Sequence, residues 1–121
     1  MKSFKLLLLS VFALLAQVSL AQTAAKAKGA GTEQVQLKTS AVCDMCKTRL
    51  EKAMAYEKGV QAAVLDVPTQ MLTVTYSPDK TTPATLRTAV QRTGYDADAA
   101  PAEARAYDRL PDCCKKTNAV H

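Results

Sequence analysis

Four cysteines hold most of the chemistry available to this sequence, and they come in two pairs. Cys43 and Cys46 are separated by two residues, whereas Cys113 and Cys114 are adjacent. Cys43-Asp44-Met45-Cys46 straddles the point where an alternating segment gives way to a helical period. A helix N-terminus carries partial positive charge and unpaired N–H groups, which favour thiolate over thiol. Thiolates are soft ligands that select Cu(I), Zn, Cd or Hg. Cys43 on a loop can swing towards Cys46 on the first helical turn. That suits a near-linear, two-coordinate ion, held in the open and free to pass to another thiol. The spacing is shared by zinc sites and thiol-redox sites, and a structural zinc needs four ligands. Met45 offers a thioether, a weaker ligand than a thiolate, and Asp44 suits a helix start. Adjacent cysteines bridge poorly, because disulfide geometry needs Cα atoms farther apart than neighbours allow.

Little else in the chain is reactive. His121, at the last position, is the one histidine. No Cys–His or Ser–His dyad can therefore be built in a folded core, and no Gly-rich loop is present to cradle phosphate. No catalytic residue is expected, and neither is an enzyme.

The elements that would position these thiols follow from periodicity. Residues 34–39 alternate, with Val35 and Leu37 apolar, and predict a half-buried strand. Leu50, Ala53 and Met54 follow Cys46 at helical spacing, with Gly59 as the expected stop. Residues 60–67 and 71–76 alternate about a Pro68-Thr69-Gln70 turn and predict a hairpin. Thr82 as N-cap and Pro83 behind it open a second helix, striped by Leu86, Ala89 and Val90 and ended by Gly94. Residues 95–97 predict a short last strand. The order β-α-β-β-α-β predicts an α+β, ferredoxin-like sandwich: an antiparallel sheet with two helices on one face. A C-terminal helical extension follows, with Ala104, Tyr107 and Leu110 at helical spacing and Pro111 as its end.

Ahead of this unit, Lys2 and Lys5 precede an apolar run over residues 6–15, and Ser19-Leu20-Ala21 has the small residues of a cleavage site. This is the layout of a secretory signal peptide, and the run is too short to span a bilayer. The expected organisation is a signal peptide at 1–21, a flexible leader at 22–32, a metal-binding domain at 33–98 and a helical extension with a Cys-Cys tail at 99–121. An exported, periplasmic or secreted chain is expected, not embedded in a membrane. Loss of Lys2 and Lys5 leaves 14 basic against 11 acidic residues, a mild excess of +3. The basic residues are scattered and Trp is absent, which argues against nucleic acid as a partner.

Residues 34–98 resemble the heavy-metal-associated (HMA) domain family, which includes copper chaperones, modules of metal-pumping P-type ATPases and periplasmic mercuric-ion-binding proteins. The resemblance rests on Cys43-Asp44-Met45-Cys46, Glu51-Lys52-Ala53, Gly59-Val60 and Gly94-Tyr95-Asp96-Ala97. It implies a soft metal ion on Cys43 and Cys46, with Cu(I) first and Hg(II), Zn(II) and Cd(II) open. It also implies that Tyr95 packs near those sulfurs, and that a metal-transporting membrane protein is the partner. The family commonly has Gly-Met-Thr before the first Cys; Ser40-Ala41-Val42 stands here, and Ala41 predicts looser packing.

In such a fold a helix over 101–110 climbs about 15 Å. Turned back along the sheet, it returns the chain to the metal end, where Cys113 and Cys114 become candidates for additional thiolates. The alternatives are a tail independent of the site, a thiol–disulfide oxidoreductase using the same CxxC, and a secreted module pinned by two disulfides.

Overall fold

The structure, a computed structural model, describes residues 31–121. The expected signal peptide, and all but the last two residues of the expected leader, lie outside the described residues. Strands β1 (Glu33–Lys38), β2 (Val60–Asp66) and β3 (Met71–Tyr76) form an antiparallel sheet in the order β1-β3-β2. The register lines up the apolar faces in rows. Leu37, Leu72 and Leu65 form one row, and Val35, Val74 and Ala63 the next. Leu37, Leu65, Leu72, Val74 and Tyr76 are buried on that face, as alternation requires. A bulge between Val60 and Ala62 interrupts β2 near its start.

Helix α1 (Asp44–Ala55) packs on β2 and against α2 (Pro83–Thr93). Its buried stripe is Cys46, Leu50 and Met54. Glu51 locks it to the edge strand: its carboxylate accepts from the Leu65 N–H at 3.0 Å and pairs with Lys47 at 2.7 Å. Edge strands carry unpaired N–H groups, so Glu51 both covers the edge and fixes the helix. The helix ends earlier than Gly59 suggests. Tyr56 is its C-cap, and Gly59 (φ 86°) belongs to the next turn, where its carbonyl accepts from Ser77.

In α2, Thr82 Oγ1 accepts from the Thr85 N–H at 3.2 Å, Pro83 opens the first turn, and Gly94 (φ 108°) closes the helix in the left-handed conformation. The fold is the expected α+β, ferredoxin-like arrangement, with one difference. The last strand shrinks to a single bridge, Thr39 to Ala97. Ala97 and Ala100 pair with each other, and Asp98 (φ 52°) turns the chain between them, so nothing remains to extend along β1.

The extension is also shorter than expected. Helix α3 (Ala104–Asp108) has five residues, not ten. Its inward side is Ala106, followed by Leu110 and then Cys114, while Ala104 is exposed and Tyr107 half-buried. A short 3-10 turn (Asp112–Cys114) follows Pro111. The extension belongs to the same compact unit, Thr32–His121, and Leu110 and Cys114 join its core.

Candidate metal centre

The loop that carries Cys43 is firmly held. Gln70, at the tip of the hairpin, donates its side-chain amide to the Ala41 carbonyl at 2.9 Å. The Gln70 carbonyl in turn accepts from Thr39. Ala41 is fully buried and Val42 nearly so, which corrects the expectation of a loose loop. The missing long side chain is offset by these hydrogen bonds. Cys43 is the N-cap residue of α1, with no side-chain cap, and its carbonyl accepts from Lys47. Asp44 follows in the first turn, exposed, where its charge suits the helix dipole.

Residues i and i+3 on a helix share a face, so Cys43 and Cys46 both point inward. Their sulfurs are 3.2 Å apart, and neither is bridged. Cys114 reaches them from the tail, with Sγ 3.9 Å from that of Cys43. Cys43, Cys113 and Cys114 form a second grouping whose sulfurs all lie within 4.8 Å of one another. The turned-back extension thus brings both tail cysteines to the loop.

Exposure differs from expectation. Cys43 is 5 % exposed, Cys46 0 % and Cys114 1 %. The site is covered rather than open, because the tail crosses it. Cys113 alone of the four thiols is exposed, and it faces Met45, with the two sulfurs 3.8 Å apart. Met45 itself is half exposed.

Several bonds hold the cover. The Ala102 N–H donates to Asp96 at 2.8 Å, and Lys116 pairs with the same carboxylate at 3.1 Å. Lys115 donates to the Tyr107 carbonyl at 2.6 Å and sits 4.4 Å above its ring. Finally the His121 N–H donates to the Val42 carbonyl at 2.7 Å, one residue from Cys43. No local pattern signals that last contact, since a polar C-terminus reads as solvated. The His121 ring stays exposed and bonds to the Ala119 carbonyl.

Tyr95 closes the inner side and is fully buried. Its hydroxyl lies beside Cys46 and Cys114 without a well-aligned hydrogen bond to either. Burial pushes the tyrosine up, and the neighbouring sulfurs push it further, so it stays a phenol. The thiols divide. Burial alone would raise Cys46, but the Tyr95 hydroxyl, the backbone at Val42 and the neighbouring thiols bring it below the usual cysteine value. Burial raises Cys43, despite help from the Cys46 backbone, and burial also raises Cys114, aided by Cys46. The helix start therefore does not lower both members of the CxxC pair. The one lowered is the one beside the phenol. A lowered thiol beside raised ones offers a soft cation its first sulfur, and closing the other thiols on the ion displaces their protons to solvent.

The comparisons agree with this chemistry. The family model described as "Heavy-metal-associated domain" matches residues 37–96. Residues 37–96 form a domain of the heavy-metal-associated family. A copper-exporting P-type ATPase of Staphylococcus aureus (strain Newman) is 37% identical over 70 residues, 57% of this chain but 9% of that protein. Among solved structures, a CopZ metallochaperone superposes with a TM-score of 0.52 at 26% identity, covering 54% of this chain and 98% of that one. Oxidized MerP from Ralstonia metallidurans CH34 gives 0.53 at 26% identity, covering 55% and 94%. Domains of the heavy-metal-associated family bind soft metal ions, and the oxidoreductase alternative gains no support from these relatives. The family match ends at residue 96, so Cys113 and Cys114 lie beyond it. Among the described residues no helix is long and apolar enough to cross a membrane.

Proposed function

We propose that this chain is an exported carrier of a soft metal ion, Cu(I) first, bound by the thiolates of Cys43 and Cys46 with Cys114 as a third. The observation that carries the reading is the convergence of three buried sulfurs beside Tyr95, at 3.2 Å and 3.9 Å from Cys43. At about 2.3 Å per metal–sulfur bond, three sulfurs around a trigonal ion lie about 4.0 Å apart. The two separations from Cys43, 3.2 Å and 3.9 Å, already lie at or inside that spacing. Three soft thiolates in a dry pocket favour Cu(I) over ions that demand oxygen or four ligands. The 37% identity to part of a copper-exporting ATPase supports the same cargo.

Export rests on the basic start, the short apolar run and Ser19-Leu20-Ala21. The role is carriage, not catalysis, and a metal-transporting membrane protein is the partner that a carrier of this family would serve. Because the tail covers the site, handover requires it to lift. Hg(II), Zn(II) and Cd(II) are the competing cargoes.

Anaerobic titration of the reduced chain with Cu(I), Zn(II) and Hg(II), each against a competing chelator, tests the reading. Cu(I) should bind most tightly relative to its chelator standard. Cys43→Ser/Cys46→Ser should lose that binding, and Cys114→Ser should weaken it on the order of 100-fold, the scale of losing one of several ligands. Unchanged affinity in the double variant would discard the carrier reading. Unchanged affinity in Cys114→Ser would reduce the site to two sulfurs.

A further inference from the structure

Two exposed sulfurs flank that inner triad. Cys113 and Met45 face each other at 3.8 Å on the outer side of the loop, and both are open to solvent. They come from opposite ends of the domain sequence, 68 residues apart, so no local turn brings them together. Cys113 is also part of the close grouping with Cys43 and Cys114, whereas Cys46 is not.

We propose that Cys113, with the Met45 thioether behind it, completes a second soft-metal position that shares Cys43 and Cys114 with the inner one. The chain then holds two Cu(I) ions bridged by two thiolates. Cys46 is the terminal ligand of the inner ion, and Cys113 is the terminal ligand of the outer. This inference rests on the carrier reading and adds a position and a stoichiometry to it.

The geometry favours two ions over one ion shared by all four thiolates. A tetrahedral ion would need Cys46 and Cys113 both at first-ligand distance, with every sulfur pair under about 4 Å. The outer grouping excludes Cys46, because Cys46 points into the core beside Tyr95 while Cys113 points to solvent. The outer three sulfurs already lie within 4.8 Å of one another, and the inner position shares their Cys43–Cys114 edge, with Cys46 3.2 Å from Cys43. Cu(I) accepts three soft ligands and tolerates shared thiolates, and a thioether is an acceptable weak fourth donor. Two monovalent ions against four thiolates leave the cluster with a charge of about −2, beside which Lys115 and Lys116 follow in sequence.

The outer position has access that the inner one lacks. Met45 also lines an open groove of about 550 Å³ along α1, with Arg49, Lys52 and Tyr56. An ion on Cys113 can therefore meet a donor or acceptor thiol without the tail lifting, and the bridging sulfurs connect it to the inner ion.

Cu(I) titration of the reduced full chain, with a chromogenic competing chelator, decides the matter. Wild type should take two equivalents per chain, independent of protein concentration. Cys113→Ser should take one, with the affinity of the first unchanged. Met45→Leu should take two, the second weakened about tenfold, as befits a thioether. X-ray absorption should show a metal–metal vector in wild type that Cys113→Ser loses. Cys113 and Met45 are exposed, so neither variant threatens the fold. A single equivalent in wild type, two equivalents retained in Cys113→Ser, or a second equivalent that appears only as chains dimerise would each overturn the proposal. If the first equivalent is tight and the second absent, the outer position alone fails. If the first is also weak, the carrier reading fails with it.

Discussion

The two cysteine pairs use the same chemistry on different backbones. Cys43 and Cys46 are three apart at the head of a twelve-residue helix, and both face inward. Cys113 and Cys114 are neighbours on a 3-10 turn, where each residue is rotated about 120° from the last. One therefore faces the core and the other faces solvent. The first pair is carried by the sheet and α1, through Gln70 and Glu51. The second is carried by a five-residue helix and a handful of polar bonds. Spacing decides which sulfurs converge, and support decides how firmly. The loop is a fixed half-site, and the tail is a docked one.

The sharpest way to separate them is to weaken each support in turn. Leu50 is fully buried behind Cys46, and Leu110 is 5 % exposed ahead of the tail cysteines. Leu50→Ala should cost about 2–5 kcal/mol in denaturant unfolding, as a large-to-small change in a packed core does. Leu110→Ala should fall at the bottom of that range, because the tail can undock without unfolding the sheet. Alkylation should show the difference directly. In wild type Cys113 should react first and Cys114 slowly. In Leu110→Ala Cys114 should quicken while Cys46 stays protected. Equal losses for the two leucines, with Cys114 still slow in Leu110→Ala, would make the tail part of the scaffold.

Gly94 is the joint between the two regions, and its replacement should have the next largest effect. Its φ of 108° suits no L side chain, and an added Cβ would lie 2.9 Å from the Ala106 carbonyl oxygen and 3.1 Å from the Leu110 side chain. Gly94→Ala should therefore destabilise by about 1–3 kcal/mol. The damage should concentrate where α3 sits on the helix end. Hydrogen exchange of the Tyr107 and Leu110 amides should speed more than that of β3. Uniform loss across the sheet would show that the strain is absorbed by α2 instead.

The elements fixed by local rules were legible in advance. The alternation of β3, the hairpin, and Thr82-Pro83 with Gly94 each state their outcome within a few residues. What failed to show depended on distant partners. Gly59 carries a positive φ, as a helix stop would, yet the helix has already ended at Tyr56 because the chain must turn towards Ser77. Residues 95–97 look extended, but Asp98 is claimed by Lys38 and Arg87 and bends the chain away. In the extension, Ala104, Tyr107 and Leu110 fit a helix, but the surface that selects Ala106 and Leu110 belongs to Gly94. The convergence of Cys114 on Cys43 could be expected from topology. Its burial could not, because the cover depends on Asp96, Lys116 and the His121 backbone meeting at one place. Nor could the split among the thiols be read, since a helix start acts on both alike and Tyr95 acts chiefly on one.

Asp98 gives the smallest test, at the point where the fixed region hands over to the docked one. Its carboxylate accepts from the Lys38 N–H at 2.9 Å and pairs with Arg87 at 2.9 Å, and these two groups hold it below the usual carboxylate range. In the unfolded chain the group returns to a value of about 3.9. The stabilisation is therefore complete above that value and disappears as pH falls through the lower, folded value. Its side chain is 39% exposed, so solvent screens the pair and the effect at neutral pH should stay below about 1 kcal/mol. Asp98→Asn keeps an oxygen for Lys38 and removes the charge. Its stability should fall less steeply than that of wild type as pH drops below about 4. The two curves should meet at low pH, where wild-type Asp98 is itself neutral. Parallel curves over the whole range would mean that the turn is held by backbone geometry at Asp98 and not by its charge.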